Sequence, residues 1–315
     1  VNLVSKRPLA QAQREVGVRL GNHAHKELQA DLTGPLNEDR SLLYRLVAVG
    51  RDSGTQVRHA DDKRSFLAPS LTWAPRAGHT LTVYAEYQED RSGNTNAFLP
   101  RAGTLEEAPN GPIPSDLFIG EPAWDRYGGT RKRAGYSAAH ELGDGWRLRH
   151  QVRHDEVAGL QKSMYANWWQ GFRDAAGNPD PNGRYLNRTW YIYDDRARIT
   201  TGELLFEGQA ELLGMRHRLL VGLDGLRQHA SKASASGAAT PLDVYDPVYG
   251  SFDEPELGAA PTTRNHIRRL GVLLQDQFKP TEAVAVRLGL RHDKVRNTVV
   301  GGPSNPSGRD SSRWA

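Results

Sequence analysis

The sequence predicts an all-β fold, an antiparallel transmembrane β-barrel, and three observations carry that prediction. Segments of about ten residues alternate apolar with polar side chains, the connectors between them are mostly tiny and long by turns, and nowhere does a capped segment of 3.6-residue period compete. Segment 80–88 shows the alternation best: Leu81, Val83, Ala85 and Tyr87 share one face of a strand, and Thr80, Thr82, Tyr84, Glu86 and Gln88 the other. A barrel in a membrane needs strands of roughly 9–11 residues, with short turns at one rim and longer loops at the other.

Taken in order, the first strands are expected at 14–22, with Val16, Val18 and Leu20 on one side, and at 25–34, joined by a kink near Asn22 and His23. Strand 41–52 follows, with Leu42, Tyr44, Leu46 and Ala48 opposed to Arg45, and strand 64–74 ends in Trp73. A tight Pro/Gly turn at 74–78 leads into 79–89, which opens into a connector from Asp90 to Thr130 rich in Gly, Pro and Asn. Strand 131–142 returns through the turn Gly143-Asp144-Gly145 to 146–156. There Trp146, Leu148 and Val152 alternate with Arg147, Arg149, Gln151 and Arg153. Arginine at a bilayer midplane costs about 2–4 kcal/mol, so this second row must face a wet lumen. A second long connector at 157–188 precedes strands 190–212 and 215–229, and a third at 230–263 precedes 264–279 and 282–295. About eleven strands result, with the start of another at Ser312 to Ala315.

Only 37% of the 315 residues are hydrophobic and the mean hydropathy is -0.65. No run of about 18 apolar residues exists, so no helical span is expected, but a barrel escapes that test because half of each strand faces water. Cysteine is absent, which excludes disulfide frameworks and zinc–cysteine sites. The 41 Lys and Arg against 37 Asp and Glu leave a formal charge of +4, and the basic residues are interleaved along strands rather than clustered, so no nucleic-acid partner is expected. The chain starts at Val1 without a basic n-region or an apolar h-region, and both ends read as cut.

Aromatic residues on the long connectors are the main functional signal. They include Phe98, Phe118, Trp124 and Tyr127 in the first, Tyr165, Trp168, Trp169 and Phe172 in the second, and Tyr245, Tyr249 and Phe252 in the third. Such rings can wall a pocket with apolar faces and hydrogen-bonding tips; equally, they can pack the loops together or belong to an aromatic girdle. His150 and His154 would be ligand-spaced on a helix, but on a strand they lie about 13 Å apart, and His23 and His25 read as a rim or lumen pair. Asp243, Asp246, Asp253 and Glu254 lack the glycine-containing spacing of a calcium loop. There is no phosphate-binding loop, dinucleotide fingerprint or nucleophile elbow, and no carboxylate pair is singled out, so an enzyme is not expected.

Several short motifs run collinearly along the chain. The opening Val1-Asn2-Leu3-Val4-Ser5-Lys6-Arg7-Pro8 is followed by Tyr44-Arg45-Leu46 and Ala68-Pro69-Ser70-Leu71-Thr72-Trp73. Phe98-Leu99-Pro100 then comes with Gly103-Thr104 and Pro109-Asn110-Gly111, and Gly135-Tyr136-Ser137 with His140-Glu141. The set closes with Val272 to Gln277 and Gly289-Leu290-Arg291-His292-Asp293. Together they resemble the TonB-dependent siderophore receptors, the ferrichrome or hydroxamate type in particular, over nearly the whole chain. The resemblance implies residues 1–12 as the end of a plug domain and its linker, and 13–315 as the N-terminal half of an incomplete barrel of about 22 strands.

It further implies an outer-membrane receptor of a Gram-negative bacterium that imports a ferric siderophore without covalent chemistry. Its partners would be outer-membrane lipid and, through the missing plug, TonB; no cofactor is expected, and iron enters only as cargo. By position Phe98 and Tyr165 resemble pocket aromatics of that family, and Trp168, Trp169, Tyr249 and Phe252 complete the expected ligand-binding set. Thr95, Asn96 and Asn167 stand where relatives carry further tyrosines, a departure for which Trp168 or Trp169 would compensate. Lumen arginines Arg147, Arg149, Arg153 and Arg287 are expected to touch the plug or steer anions. A porin and a soluble secreted β-sandwich that binds or hydrolyses carbohydrate are the alternatives.

Overall fold

A computed structural model describes residues 5–167, 169, 171–173, 176, 178–255, 262–301 and 309–314, the last stretch as backbone only. Val1 to Val4 and Trp168 lie outside the described residues. The described residues form one antiparallel sheet of 12 strands in sequence order. These are β1 (Gln13–Gly21), β2 (His25–Pro35), β3 (Leu42–Gly54), β4 (Asp61–Arg76), β5 (His79–Ser92), β6 (Arg126–Gly143), β7 (Trp146–Ala166), β8 (Tyr185–Leu212), β9 (Met215–Asp243), β10 (Thr262–Thr281), β11 (Val284–Val300) and β12 (Arg309–Trp314). Among them β1 pairs only with β2 and β12 only with β11, so the sheet is open at both edges.

Cross-strand register fixes which residues share a face. Trp73, Leu81, Ala138, His150, Leu204, Leu223 and Val272 follow one another directly from β4 to β10. One residue away in each strand lies the other parity, which carries acids and bases in contact. Asp31 meets Arg45 at 2.7 Å, Glu86 and Asp155 flank Arg133, and Asp224 and Asp293 share Arg291. The apolar row is bare: Val83, Val221, Leu223, Leu274 and Leu290 are all exposed although large and hydrophobic. A soluble sandwich would cover such a row with a second sheet, and none is present among the described residues. Lipid against one parity and water against the other accounts for both.

Belt limits are visible on the apolar face. At the short-turn rim Trp146 stacks on Phe206 with centroids 4.7 Å apart, His217 stacks on Phe278, and Trp73 is half exposed, as in an aromatic girdle. At the opposite end of the belt Arg227, Arg268 and Arg296 sit directly opposite one another on β9, β10 and β11, where a polar interface replaces hydrocarbon.

Several of the short turns use left-handed backbone. Leu213 and Gly214 take φ of 53° and 72°, and the expected kink near residue 22 is a turn of three residues, with His23 and Ala24 at 58° and 55°. Several boundaries differ from the sequence reading, and two differ most: β7 runs on to Ala166 and β9 to Asp243, well into the expected connectors. Those extensions lie beyond the belt, where Ala, Ser and Gly suffice because no lipid enforces apolar alternation. Backbone pairing with β8 holds both of them.

Two-sidedness is testable by charge insertion. Reconstituted in phospholipid vesicles, the protein carrying Val221→Arg loses about 2–4 kcal/mol in denaturant unfolding. Glu207→Gln, which removes an ion pair from the polar face, loses less than about 1 kcal/mol. Equal losses at the two positions would overturn the assignment of faces.

Candidate outer-mouth site

Beyond the belt the connector 93–125 folds onto the extensions of β7, β8 and β9 and forms a lobe with a core of its own. Ile113, Leu117, Ile119, Ala166, Leu186, Leu242 and Val244 pack together, and Trp124, Met164 and Ile192 form a second cluster. The lobe is tied by Arg188, which is 1% exposed and stands at a bulge where β8 meets β9. Its Nε donates to the Thr240 carbonyl at 2.8 Å, and its Nη1 to the carbonyls of Ile119 and Gly120. Its Nη2 meets Glu121 Oε1 at 2.9 Å, and the other Glu121 oxygen accepts the Gly250 N–H at 2.7 Å. One buried ion pair therefore joins the 93–125 connector, β8, β9 and the 244–255 loop. Burial pushes the Arg188 guanidinium down, while Glu121 opposes that shift.

Asp125 sits beside this pair. Burial pushes its carboxyl up to about 7, with the N–H groups of Glu121 and Met164 and the charge of Arg188 offsetting part of the effect. Its Oδ2 has no hydrogen-bond partner. Gly120 is required here by close approach, since a Cβ at that position would stand 2.1 Å from Asp125 Oδ2.

On the polar parity, below the lobe, the structure assembles an aromatic ladder. Phe98 meets Tyr165 edge-on at 5.1 Å, Tyr165 lies 5.5 Å from Tyr191, and Tyr191 stacks on Tyr193 at 6.3 Å. Lys232 Nζ caps the ladder 4.7 Å above the Tyr193 ring, and Gln161 donates to the Tyr165 hydroxyl at 2.8 Å. The foot of the ladder opens on a cavity of about 540 Å³ lined by Arg64, Asp90, Arg131, Gln161, Tyr193 and Lys232 among others. Arg64 is engaged by Asp90, whereas Arg131 has no carboxylate partner among the described residues.

Of the residues singled out in the sequence, Phe98 and Tyr165 come together, although Tyr165 belongs to β7 rather than to a loop. Tyr249 and Phe252 lie elsewhere, inside the lobe. The Tyr249 hydroxyl donates to the Phe118 carbonyl at 2.7 Å, and Phe252 packs edge-on against Trp124. Trp169 is 81% exposed. Tyr191, Tyr193 and Lys232 were missed because they fall in strand segments; a Tyr-x-Tyr pair outside the belt on lumen parity was the available signal. Asp243 and Glu254 are engaged by Arg184 and Lys162, which fits solvated or ion-paired loop acids. Arg147, Arg149 and Arg153 pair with Glu141, Glu207 and Asp155 on the polar face, and Arg287 donates to Gln277.

Two measurements probe the lobe. Arg188→Ala strands Glu121 in the interior and costs about 3–5 kcal/mol, seen as loss of hydrogen-exchange protection across 93–125 while β2 to β5 stay protected. Asp125 gives the lobe a pH slope. Because its folded carboxyl holds the proton to higher pH than the ordinary value of 3.8, its favourable contribution is complete below that value. It is lost as pH rises through about 7. Protection of 93–125, corrected for intrinsic exchange, therefore falls between about pH 4 and 7 and levels off above, and Asp125→Asn flattens the slope.

Comparison with known proteins agrees with this geometry. A family described as "TonB dependent receptor-like, beta-barrel" matches residues 69–315. Similar relatives include the ferrioxamine B receptor of Salmonella typhimurium, 28% identical over 94% of this chain and 40% of its own length. Another is the ferrichrome outer membrane transporter/phage receptor of Escherichia coli, 28% identical over 93% of this chain and 41% of its own length. The chain thus spans about two fifths of these relatives. Among solved structures, the ferripyoverdine receptor of the outer membrane of Pseudomonas aeruginosa superposes with a TM-score of 0.78 at 20% identity, over 98% of this chain and 40% of that one. The closed form of the ferric-catecholate import receptor of E. coli gives a TM-score of 0.79 at 14% identity, over 99% and 47%. With a match over most of its length, an open antiparallel sheet bare on one face, and an outer lobe above an aromatic ladder, the chain belongs to the TonB-dependent receptor β-barrel family.

Proposed function

We propose that this chain supplies about half of the barrel, and part of the ligand-binding mouth, of an outer-membrane receptor that imports a ferric siderophore of the hydroxamate type in a TonB-dependent manner. The ladder of Phe98, Tyr165, Tyr191 and Tyr193 above a polar cavity carries the reading. A ferric hydroxamate presents an apolar carbon skeleton and a rim of oxygens around the metal. Aromatic faces take the first, and phenol, amide and cationic donors take the second. The names of the ferrioxamine B and ferrichrome relatives favour hydroxamates over other siderophores.

Residues 1–12 are read as the linker from a plug. From Ser5 on, this segment lies along the polar face: Lys6 bonds Asp31 at 2.6 Å, Arg45 donates to the Arg7 carbonyl at 2.9 Å, and the Leu9 N–H donates to Thr33 Oγ1 at 2.9 Å. A chain leaving the lumen would be held there. Both open sheet edges call for further strands, since unpaired backbone groups in hydrocarbon cost several kcal/mol each. Ligand would bind at the outer mouth, and force applied to the plug from the periplasm would open the path inward.

Binding of ferrichrome and ferrioxamine B to the full-length receptor tests the reading. Tyr191→Ala/Tyr193→Ala weakens the preferred ligand roughly tenfold or more, as expected for aromatic anchors each worth about 1 kcal/mol or more. Arg147→Gln, at the far rim, leaves affinity unchanged. Undiminished affinity in the tyrosine double variant would overturn the assignment of the mouth.

A further inference from the structure

The apolar face carries a histidine cluster at the short-turn rim that no part of ligand import uses. His79 and His140 are direct cross-strand partners on β5 and β6, and His150 on β7 is placed diagonally to His140, opposite Ala138. The His79 and His140 Nδ1 atoms are 3.4 Å apart, and the His140 and His150 Nε2 atoms are also 3.4 Å apart. The His140 and His150 rings stack at 5.5 Å, and the Tyr136 ring edge closes the far side of His150. All three imidazoles are half-buried and lie near the turns at Gly78 and at Asp144 and Gly145, where the sheet leaves the belt.

These separations exceed the roughly 2.7–3.2 Å of an N–H···N or N–H···O hydrogen bond, so the rings are poor partners for one another. Two nitrogens that share a tetrahedral ion at about 2.0–2.1 Å stand roughly 3.3–3.4 Å from each other. The gap between each pair is the one an ion would occupy. Imidazole nitrogen suits zinc, nickel and copper(II) and leaves calcium and magnesium aside.

We propose that His140 is the shared ligand of a two-imidazole site for a divalent transition-metal ion, completed on one side by His79 or on the other by His150, with water filling the remaining positions. Among the described residues no group of three such side chains converges on one point, because His140 turns opposite nitrogens to its two neighbours. The site therefore exchanges its ion readily with the aqueous side of the rim. The spacing of His150 and His154 along one strand gave no hint of it. The sheet makes the site by bringing residues of three strands together.

Copper(II) titration of the full-length receptor in detergent, with no siderophore present, followed by electron paramagnetic resonance, tests the proposal. The expected result is an axial spectrum with hyperfine structure from two imidazole nitrogens. His140→Gln removes this signal or weakens binding at least tenfold. His79→Gln and His150→Gln alone each retain it, because one pair survives, and the His79→Gln/His150→Gln double variant loses it. His217→Gln, at the same rim but bonded to Asp276, serves as the control and changes nothing. Heat-modifiable migration on gels shows that each variant is a folded barrel. If His140→Gln keeps the two-nitrogen spectrum with unchanged affinity, or the parent protein shows no two-nitrogen spectrum at all, the imidazoles are girdle residues and the proposal fails.

Discussion

A backbone that crosses hydrocarbon must satisfy each N–H and C=O from within the protein, and every other property of this chain follows from how it does so. The antiparallel ladder supplies those bonds between neighbouring strands and leaves side chains with a strict period of two. Once the register is set, one parity belongs to lipid along the whole sheet and the other to water. This is why Val221 and Leu274, directly opposite each other, are bare, whereas Arg133 one residue off the apolar row is held between Glu86 and Asp155. A slip by one residue would drive a strand's polar row into hydrocarbon, on β7 the arginines Arg147, Arg149 and Arg153.

Above the belt the constraint changes from lipid to water, and the means of holding the structure changes with it. The extensions of β7, β8 and β9 would be a bare three-stranded flap if the 93–125 connector did not cover them. That connector holds no named strand, and apart from a few backbone bonds, such as that from the Ala166 N–H to the Ala97 carbonyl, its place is set by side chains. Arg188 satisfies three carbonyls and Glu121 at once, and Tyr245 and Tyr249 send their hydroxyls to the Gly111 and Phe118 carbonyls at 2.7 Å each. Several rings that could wall a pocket are in this way used as struts.

The division between belt and lobe also explains what could be read from the sequence. Strands inside the belt were legible because lipid enforces alternation, as at Leu81, Val83, Ala85 and Tyr87, and the two-residue turns were legible through Gly78, Gly145 and Gly214. The outer halves of β7 and β9 were not, because Ala, Ser and Gly at positions such as Ala233 to Gly237 are equally at home in a loop. What holds them as strand is pairing with β8. The tie between Arg188 and Glu121 spans 67 residues and leaves no local trace, and the ladder of Tyr165, Tyr191 and Tyr193 becomes visible only once the register of β7 against β8 is known.

Phe98 shows how the two regimes meet at the mouth. It adopts a left-handed backbone with φ of 51°, which costs a bulky residue of order 1 kcal/mol or more, and it is 65% exposed. Nothing about an exposed phenylalanine compensates for that, so its neighbours must impose it. The Ala97 carbonyl accepts the Ala166 N–H at 3.0 Å at the end of β7, while Ala97 and Leu99 both pack against the lobe core. With both flanking residues pinned, the chain between them has to turn Phe98 out and over Tyr165, at the head of the ladder. The aromatic at the tip is therefore placed by the lobe that Arg188 holds together. A disturbance of the buried ion pair would move Phe98 without touching the barrel wall, and the belt and the mouth can accordingly vary independently of each other.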